Sequence, residues 1–384
     1  MSEIKVNSIK GVSASTAAIS IDNSSGTCTA NLTNRTNRNL VVNGAMQVAQ
    51  RGTSDVGSTG GYKTVDRFSH YASGLDENVT QSQVDVASGT IPYTLGFRKA
   101  FRITNGNQTN GAGADDILFG FYNLESQDVS NSGWNYTSAS SFITLSFWVK
   151  SSVAQNFYGY IRTRDGTEQS RPFQTGSLTA NTWTKITKVI TGNSNIQIDN
   201  DANVGMGLYF APFIGTDFTD NSKTVDTWSA YSSSARTPDN TSTWYTTNDA
   251  TFEYTGVQLE VGSVATDFEH LSYGDTLAKC QRYYYRTTEA TTTNILNMGV
   301  ETNTAAGGGQ PFPTTMRASP SITFGSGLSF FSAATSGTTF SLTQNRSSTT
   351  HLAVFISISG ATAGQAGSIF KSGSDGYIEA NAEL

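Results

Sequence analysis

The sequence predicts an all-β protein, and both its composition and the spacing of its apolar residues indicate this fold class. Charged residues make up only 14% of the 384 residues, whereas aromatic residues reach 11%. Disordered chains combine high charge with few aromatic residues, while pleated sheets favour aromatic and β-branched side chains. Short alternating apolar stretches recur along the chain, and a single stretch has helical spacing. Because the chain is too long for one ordinary core, we expect two folded units and an appendage.

Residues 1–39 form a polar segment that differs from the rest of the chain. Two short alternating stretches, Val6–Lys10 and Ala18–Asp22, predict strands, and Ser, Thr and Asn fill the intervening sequence. Two strands of this length cannot enclose a core. We therefore expect an extended attachment segment that pairs with neighbouring subunits or with a partner protein. The alternative is that the segment packs on its own domain.

Residues 40–272 predict a β-sandwich of the jelly-roll type, because many strands follow one another without an intervening helix. The predicted strands are Leu40–Val42, Thr64–Phe68, Lys99–Ile103, Phe142–Lys150, Asn156–Arg162, Thr182–Ile190, Val204–Phe210 and Ala250–Glu260. Asn43–Gly44 is a tight-turn signal after the first of them. The clearest strand is Phe142–Lys150, and we expect Asn156–Arg162 to be its hairpin partner.

The last third of the chain predicts a helical connector at residues 273–290 and a smaller β-sandwich at residues 291–384. Leu277, Cys280, Gln281 and Tyr284 fall at helical spacing, with Gly274–Asp275 as the expected cap. The helix is expected to act as a hinge or as a packing plug between the two sandwiches. The later strands are predicted at Ser321–Phe324, Thr339–Leu342, His351–Ile358 and Tyr377–Ala380, with the apolar His351–Ile358 at the centre of its sheet.

Charge and hydropathy argue against several classes of function. The net charge is −6 and the sequence pI about 5.1, whereas nucleic-acid binding needs clustered Lys and Arg. No apolar run approaches the roughly 20 residues that span a bilayer, and Met1–Lys5 opens no signal peptide. We expect synthesis in a cytoplasm and no membrane insertion. Cys28 and Cys280 are far apart in the sequence, and both are expected to be reduced and structural.

Several motifs of the chain resemble those of a known protein family. They are Asn39–Gly52, Thr64–Phe68, Gly256–Gly262, Ala265–His270, Leu277–Tyr284, Phe312–Pro320 and Ala380–Leu384. In combination they resemble the opening, the close and the continuation of virion structural proteins of bacteriophages, many of them marine, including tail-fibre proteins. The resemblance covers residues 39–384, with a weaker match in the middle.

The segment between these motifs is also similar to carbohydrate-binding jelly-roll modules. The similar stretches are a first strand at Leu40–Gly44, a last strand at Val257–Glu260 and a Trp-bearing central strand at Ser146–Lys150. The resemblance implies a tail-fibre subunit of the virion, assembled in the host cytoplasm, that attaches to host-surface glycans. It further implies a homotrimer. The attachment segment, residues 1–39, is expected to contact other virion tail proteins. Three copies would strengthen weak sugar contacts through high effective concentration.

The stretch Asp226–Asp249 is predicted to be a polar loop that carries candidate glycan-binding residues. Sugars need flat aromatic faces and nearby polar groups. The candidates are Trp228, Tyr231, Trp244 and Tyr245, with Asp239, Asn240 and Arg236 among them. The alternative is that these rings close the end of the sandwich or lie at a subunit interface. The turn Arg162–Gly166 is a candidate for an anionic sugar, with a solvated hairpin tip as its alternative.

Oxygen-bearing side chains near the first and last strands suggest a structural Ca²⁺ ion. The candidate ligands are Asn43, Asp66 and Glu253, since Ca²⁺ takes six to eight oxygen ligands. The alternative is that they are ordinary turn and surface residues. Zinc is not expected, because His70, His270 and His351 are scattered.

Catalytic motifs are weak in this sequence. A glycan depolymerase would use paired carboxylates, for which Asp115, Asp116, Glu125 and Glu168 are available, but no local apolar context marks any of them. The Gly-x-Ser-x-Gly nucleophile motif is absent. We therefore expect a binding protein without catalytic activity. A purely structural virion protein, such as a head decoration or a tail adaptor, is the alternative, and a depolymerase is less favoured.

Overall fold

The structure is a computed structural model, which describes residues 6–9, 19–21, 24, 28–30, 37–57, 59–287, 293–335, 337 and 339–384. Near the N-terminus, β1 (Ser8–Ile9), β2 (Ile19–Ile21) and β3 (Cys28–Ala30) form a three-stranded antiparallel sheet. Both predicted strands are therefore present in shortened form, although Lys10, Ala18 and Asp22 lie outside the described residues. The side chain of Cys28 also lies outside them.

The large unit is a sandwich of two antiparallel sheets. In chain order its elements are β4 (Ser54–Gly57), β5 (Gly60–Gly61), β6 (Phe68–Ser73), β7 (Val79–Asp85), α1 (Ile91–Thr94), β8 (Lys99–Thr104), β9 (Ile117–Glu125), α2 (Ser126–Ser130), β10 (Phe142–Ser151), β11 (Asn156–Thr163), β12 (Gln169–Ser177), β13 (Thr184–Thr191), β14 (Val204–Ile214), a 3₁₀ turn (Thr216–Phe218), β15 (Ser229–Ala230) and β16 (Thr251–Val261). One sheet has the strand order β13-β10-β16-β8-β7-β4, and the other β15-β12-β11-β14-β9-β6-β5. The predicted all-β class is confirmed.

The main core lies between these two sheets. Ile143, Leu145, Phe147 and Val149 alternate along β10 and are all buried in it, as the strand periodicity predicts. Aromatic rings from facing strands fill the middle; Phe210 of β14 stacks on Tyr254 of β16, with ring centroids 4.7 Å apart.

Three predicted features of this unit are wrong. Leu40–Val42 is not a strand, although its backbone follows β16 through a hydrogen bond from the Leu40 N–H to the Leu259 carbonyl at 2.9 Å. The strand predicted at Thr64–Phe68 begins only at Phe68, because Arg67 has a left-handed φ of 72° that turns the chain. The predicted hairpin partner of β10 lies in the opposite sheet, and β10 pairs with β13 and β16 instead.

A short helix follows the sandwich. The helix α3 spans Tyr273–Gln281, and its cap is Ser272, whose hydroxyl accepts a hydrogen bond from the Asp275 N–H at 3.1 Å, rather than Gly274–Asp275. Cys280 on this helix is a buried free thiol. The chain continues after the helix into β17 (Tyr284–Arg286).

The smaller unit is a second β-sandwich. Its further strands are β18 (Asn294–Thr302), β19 (Ala305–Pro311), β20 (Ser321–Phe324), β21 (Leu328–Ser332), β22 (Ser341–Asn345), β23 (His351–Ser357), β24 (Ala366–Lys371) and β25 (Ile378–Asn381). A sheet with the order β17-β25-β20 faces one with the order β21-β24-β18-β19-β23-β22, and both contribute to one apolar core. The strand β23 was predicted at the centre of its sheet, but it is the second strand from the edge, which is formed by β22.

A buried ionic junction joins the two sandwiches. Arg67 of the large unit is fully buried and forms an ion pair with Glu383, and its guanidinium carbon lies 3.5 Å from the ring centroid of Tyr283. Beside this pair, the Nε and Nη2 groups of Arg282 each donate a hydrogen bond to a carboxylate oxygen of Glu125 at 2.7 Å. A charge as deeply buried as that of Arg67 needs a fixed partner. The connector is therefore a packing element between the sandwiches, and these contacts argue against a hinge.

Two buried groups of the large unit, His70 and Asp66, give the folding stability opposite dependences on pH. Burial lowers the pKa of His70 to about 4, and burial raises the pKa of Asp66 to about 6. Between pH 6.5 and 4 the unfolded chain binds a proton at His70 and the folded chain does not, so stability falls as the pH falls. Between pH 6 and 3.8 the folded chain holds a proton at Asp66, so stability rises as the pH falls. The two contributions largely cancel.

Replacing His70 with Asn should remove the pH dependence that His70 contributes and leave that of Asp66. The Asn amide oxygen can accept the hydrogen bond that Gln81 donates to His70 at 2.7 Å, but it cannot titrate. The free energy of unfolding, variant minus wild type, should rise by about 3 kcal/mol between pH 7 and pH 4 in urea denaturation, at about 1.4 kcal/mol for each pKa unit. His351→Asn, which removes an imidazole from an exposed position, is the control variant. A difference for His70→Asn that is the same at pH 7 and pH 4 would contradict this account.

Candidate functional site

The outward side of the seven-stranded sheet carries a row of aromatic side chains. Tyr71, Phe119, Phe121, Tyr160 and Tyr209, which we call the aromatic face, come from β6, β9, β11 and β14. Their strand neighbours, such as Leu118, Tyr122, Ile161 and Leu208, point into the sandwich core, so by alternation the aromatic face lies on the opposite side of the sheet. Outward sides of antiparallel sheets are usually polar. This one needs a functional or packing reason for its rings.

The rings of the aromatic face stand in two stacks that follow the strand register. Tyr160 lies opposite Tyr209 across two strands, and their rings are stacked with centroids 4.3 Å apart and planes 6° apart. Phe121 continues this stack at 6.0 Å from Tyr209. Tyr71 stacks on its cross-strand neighbour Phe119 with centroids 5.3 Å apart. Each ring is therefore held in place by another ring, which lowers the entropic cost of binding a ligand.

Accessibility differs along the aromatic face. Tyr160 and Tyr209 are buried, because the segment that carries Phe218 and Tyr231 packs against them. Phe121 is half-buried, and Tyr71 is 44% exposed. Tyr62 lies edge-on to Phe121 with centroids 5.9 Å apart. The accessible part is thus the Tyr71 end, where one ring is open to solvent and backed by Phe119.

Polar side chains lie at the other end of the aromatic face. Arg162 donates through Nε to Glu168 at 2.9 Å, and Arg164 lies 3.4 Å from the same carboxylate. The guanidinium carbon of Arg162 is 3.5 Å from the centroid of Tyr231. The turn Arg162–Gly166 is therefore tied to the sheet by ion pairs and a ring contact, which the solvated hairpin-tip alternative does not require.

The prediction that Trp228, Trp244 and Tyr245 present their rings to a glycan is wrong. Trp244 and Tyr245 are fully buried and Trp228 is 8% exposed, all within the core between the sheets. The indole N–H of Trp244 donates to the Thr251 carbonyl at 3.0 Å, and that of Trp228 to the Thr191 carbonyl at 2.8 Å. These rings close the end of the sandwich, as the alternative interpretation predicted. Burying three large apolar side chains stabilises the fold, whereas exposing them to water would not.

The other residues predicted in this loop have separate environments. Tyr231 packs against the aromatic face under Arg162. Asp239 accepts hydrogen bonds from the Thr219 hydroxyl and the Asn221 amide, both at 2.6 Å. Asn240 donates to the Thr237 hydroxyl at 3.1 Å and the Pro238 carbonyl at 3.0 Å. Asp239 therefore ties the loop to the segment before it, and Asn240 bonds within the loop. Among the six candidates Tyr231 is the one in contact with the aromatic face.

The predicted calcium ligands do not come together as a site. Asn43 and Asp66 adjoin, but the Asn43 amide donates to the backbone carbonyls of Val48 and Asp66, at 2.9 and 3.0 Å. Glu253 lies between Lys150 and Arg102, at 3.0 and 2.8 Å, and these cations already neutralise its charge. In the described part of the chain, no group of three or more His, Cys, Asp or Glu could hold a metal. These contacts argue against a calcium ion at the three residues.

The carboxylates considered for catalysis are used in other ways. Hydrogen bonds from Arg282 lower the pKa of Glu125 below its usual value, although burial alone would raise it. A general acid needs the opposite shift. Glu168 is paired with two arginines, and Asp116 accepts the Gly113 N–H at 2.6 Å. These geometries favour structural roles for the three carboxylates.

The aromatic face itself was missed by the sequence-based reasoning, although one signal pointed to it. Ile117–Tyr122 in β9 is an unbroken apolar run apart from Gly120, whereas a half-buried strand alternates apolar and polar residues. Such a run in an antiparallel sheet indicates that both sides of the strand are covered or used.

No family model and no curated protein sequence matches this chain. Among solved structures it is similar to the enzymatically active domain of tailspike protein 4 of bacteriophage CBA120 (10% identity, 59% of this chain, 22% of that chain, TM-score 0.30). It is also similar to an endo-1,4-β-D-xylanase of Clostridium thermocellum with CBM22-1 and GH10 modules (11% identity, 58% and 28%, TM-score 0.27). A third is a putative sugar binding protein of Bacteroides thetaiotaomicron (11% identity, 58% and 100%, TM-score 0.29).

These similarities cover 58–59% of this chain, and in the first two structures they cover only a part of the other molecule. The chain spans 22% and 28% of the first two structures. At sequence identities near 10%, the activities of those proteins are not assigned to this chain. Within the described residues, no helix is long and apolar enough to cross a membrane.

Proposed function

We propose that the chain is a non-catalytic glycan-binding protein that contacts sugar through the accessible end of its aromatic face. One observation carries this proposal: Tyr71 is exposed on the outward side of a sheet and is held by stacking on Phe119. The apolar C–H side of a pyranose packs against such a ring, and a ring that is already ordered binds at low entropic cost. Tyr62 and Phe121 extend the same surface.

We further propose that the protein is a subunit of a phage tail fibre that attaches to host-surface glycan. The resemblance of residues 39–384 to phage virion proteins supports this role, as does a small N-terminal sheet at which Ile9, and Val6 just before it, are exposed. In this proposal residues 1–39 contact other tail proteins, and a homotrimer makes shallow sites effective through avidity. A single-chain mass in light scattering would exclude the trimer.

The purely structural virion protein is the competing proposal, and one observation favours it. An apolar surface on the outward side of a sheet also suits contact with a second subunit. The two proposals differ in what covers Tyr71: a sugar that exchanges with solvent, or a protein chain that stays bound.

Replacing Tyr71 with Ala should weaken glycan binding at least tenfold, which corresponds to about 1.4 kcal/mol. The reason is that the open ring surface disappears while the supporting Phe119 remains. Binding would be measured by screening the full chain on a glycan array and titrating the selected oligosaccharide calorimetrically. Tyr71→Phe should retain most of the affinity, because it keeps the ring.

The matched control is Tyr273→Ala, which removes a tyrosine that is 57% exposed at the start of α3. It should leave the affinity unchanged. Equal affinities for wild type and Tyr71→Ala would move the site away from the aromatic face, and a chain that binds no glycan on the array would favour the structural alternative.

A further inference from the structure

Three arginine side chains converge on the buried end of the aromatic face. Arg162 and Arg164 come from the end of β11, and Arg236 comes from the loop between β15 and β16. The guanidinium carbon of Arg236 lies 4.9 Å from the ring centroid of Phe218, as that of Arg162 lies over Tyr231. Phe218 and Tyr231 both pack against the aromatic face. We call Arg162, Arg164 and Arg236 the arginine cluster.

The arginine cluster also interacts electrostatically with the stacked tyrosines. Burial raises the pKa of Tyr160 well above its usual value, and the positive charges of Arg236 and Arg162 oppose that shift. Burial also raises the pKa of Tyr209, and Arg164 and Arg162 oppose it. All three guanidinium groups therefore act on the same pair of rings.

The charges in this cluster are unbalanced. Glu168 is the carboxylate that pairs with Arg162 and Arg164, so these two cations share one anion. The Nε and Nη1 groups of Arg236 are buried, and among the described residues neither has a hydrogen-bond partner. Buried guanidinium nitrogens without partners are costly. In a chain of net charge −6, an excess of cations at one place is not a consequence of composition.

We propose that the arginine cluster binds the carboxylate of an acidic sugar, so that the glycan held by the aromatic face is an acidic one. The inference rests on the proposed glycan-binding function and names its substrate class. A planar guanidinium matches a carboxylate through paired hydrogen bonds and stays charged at every working pH. Because Tyr160 and Tyr209 beside the cluster are buried, the glycan would stack at the exposed Tyr71 end of the aromatic face and reach the arginine cluster with a neighbouring acidic unit.

The test compares uronic-acid-containing oligosaccharides with the same oligosaccharides after carboxyl reduction to neutral sugars. The full chain should bind the acidic member of a pair at least tenfold more tightly in calorimetric titration, and rising salt should weaken only that binding. Arg236→Gln should lower the affinity for the acidic member about tenfold and leave the neutral member unchanged. Arg164→Gln, at a half-exposed side chain, should act in the same direction without a risk to folding.

The matched control is Arg98→Gln, which removes an arginine that lies over the ring of Tyr93, 3.9 Å from its centroid and away from the aromatic face. It should change neither affinity. Equal binding of acidic and neutral members would overturn the inference while the proposed function stands. Preference for the acidic member that survives both Arg164→Gln and Arg236→Gln would also overturn it, and a chain that binds neither member of any pair would count against the proposed function itself.

Discussion

Replacing Glu383 with Ala should lower the free energy of unfolding by about 3–5 kcal/mol, because it leaves the charge of Arg67 buried without its partner. Arg67 is 0% exposed, and the ion pair with Glu383 joins the last residues of the described chain to the large sandwich. Arg317 supports the same segment through its donation to the Ala382 carbonyl at 2.8 Å. Guanidinium chloride denaturation followed by tryptophan fluorescence measures the effect.

The matched control is Asp85→Ala at an exposed ion pair. Asp85 lies 2.6 Å from Lys99, but its side chain is 82% exposed, so the loss should stay within about 1 kcal/mol. Arg67→Met combined with Glu383→Leu should recover much of the stability, since neither buried charge then remains. A loss for Glu383→Ala no larger than that for Asp85→Ala would mean that the junction does not hold the two sandwiches together.

Replacing Trp244 with Ala should also cost about 3–5 kcal/mol, because it empties a large volume in a close-packed core and removes the indole hydrogen bond to Thr251. The same variant, kept at a temperature where it is still folded, should bind glycan with wild-type affinity. Thermal unfolding and calorimetric titration of the same sample separate the two effects. Trp244→Phe, which keeps most of the ring volume, should lose less stability.

The opposite result for Trp244 would restore the sequence-based interpretation of its loop. If Trp244→Ala kept its stability and lost glycan affinity, the ring would have to be a ligand contact rather than a core residue. Tyr71→Ala should show the reverse pattern to Trp244→Ala, because it should lose glycan affinity with little change in stability. Comparing the two variants therefore separates a ligand contact from a core residue.

Strand positions were largely predictable from the sequence, and strand pairing was not. Alternation along Phe142–Lys150 identifies which side chains face the core, because the side-chain period of a strand is two. It carries no information on which strand lies next to it. In the structure, the neighbours of β10 are β13 and β16. The strand Asn156–Thr163 lies in the other sheet, although it directly follows β10 in the sequence.

The candidate site was the least predictable part. Composition marks the stretch around Trp244 as a polar loop with rings, but it cannot distinguish rings that leave the loop for the core from rings that stay outside. The aromatic face, in contrast, assembles Tyr71, Phe119, Tyr160 and Tyr209 from strands far apart in the sequence. Arg67 and Glu383, which are 316 positions apart, illustrate the same limit for the junction.

The most direct test of the glycan-binding account is a crystal structure of the full chain with the oligosaccharide that the array selects. The account predicts a sugar ring over Tyr71, on the outward side of the seven-stranded sheet, beside Phe121. A sugar bound on the six-stranded sheet or on the smaller sandwich, with the aromatic face covered by a second protein chain, would contradict it.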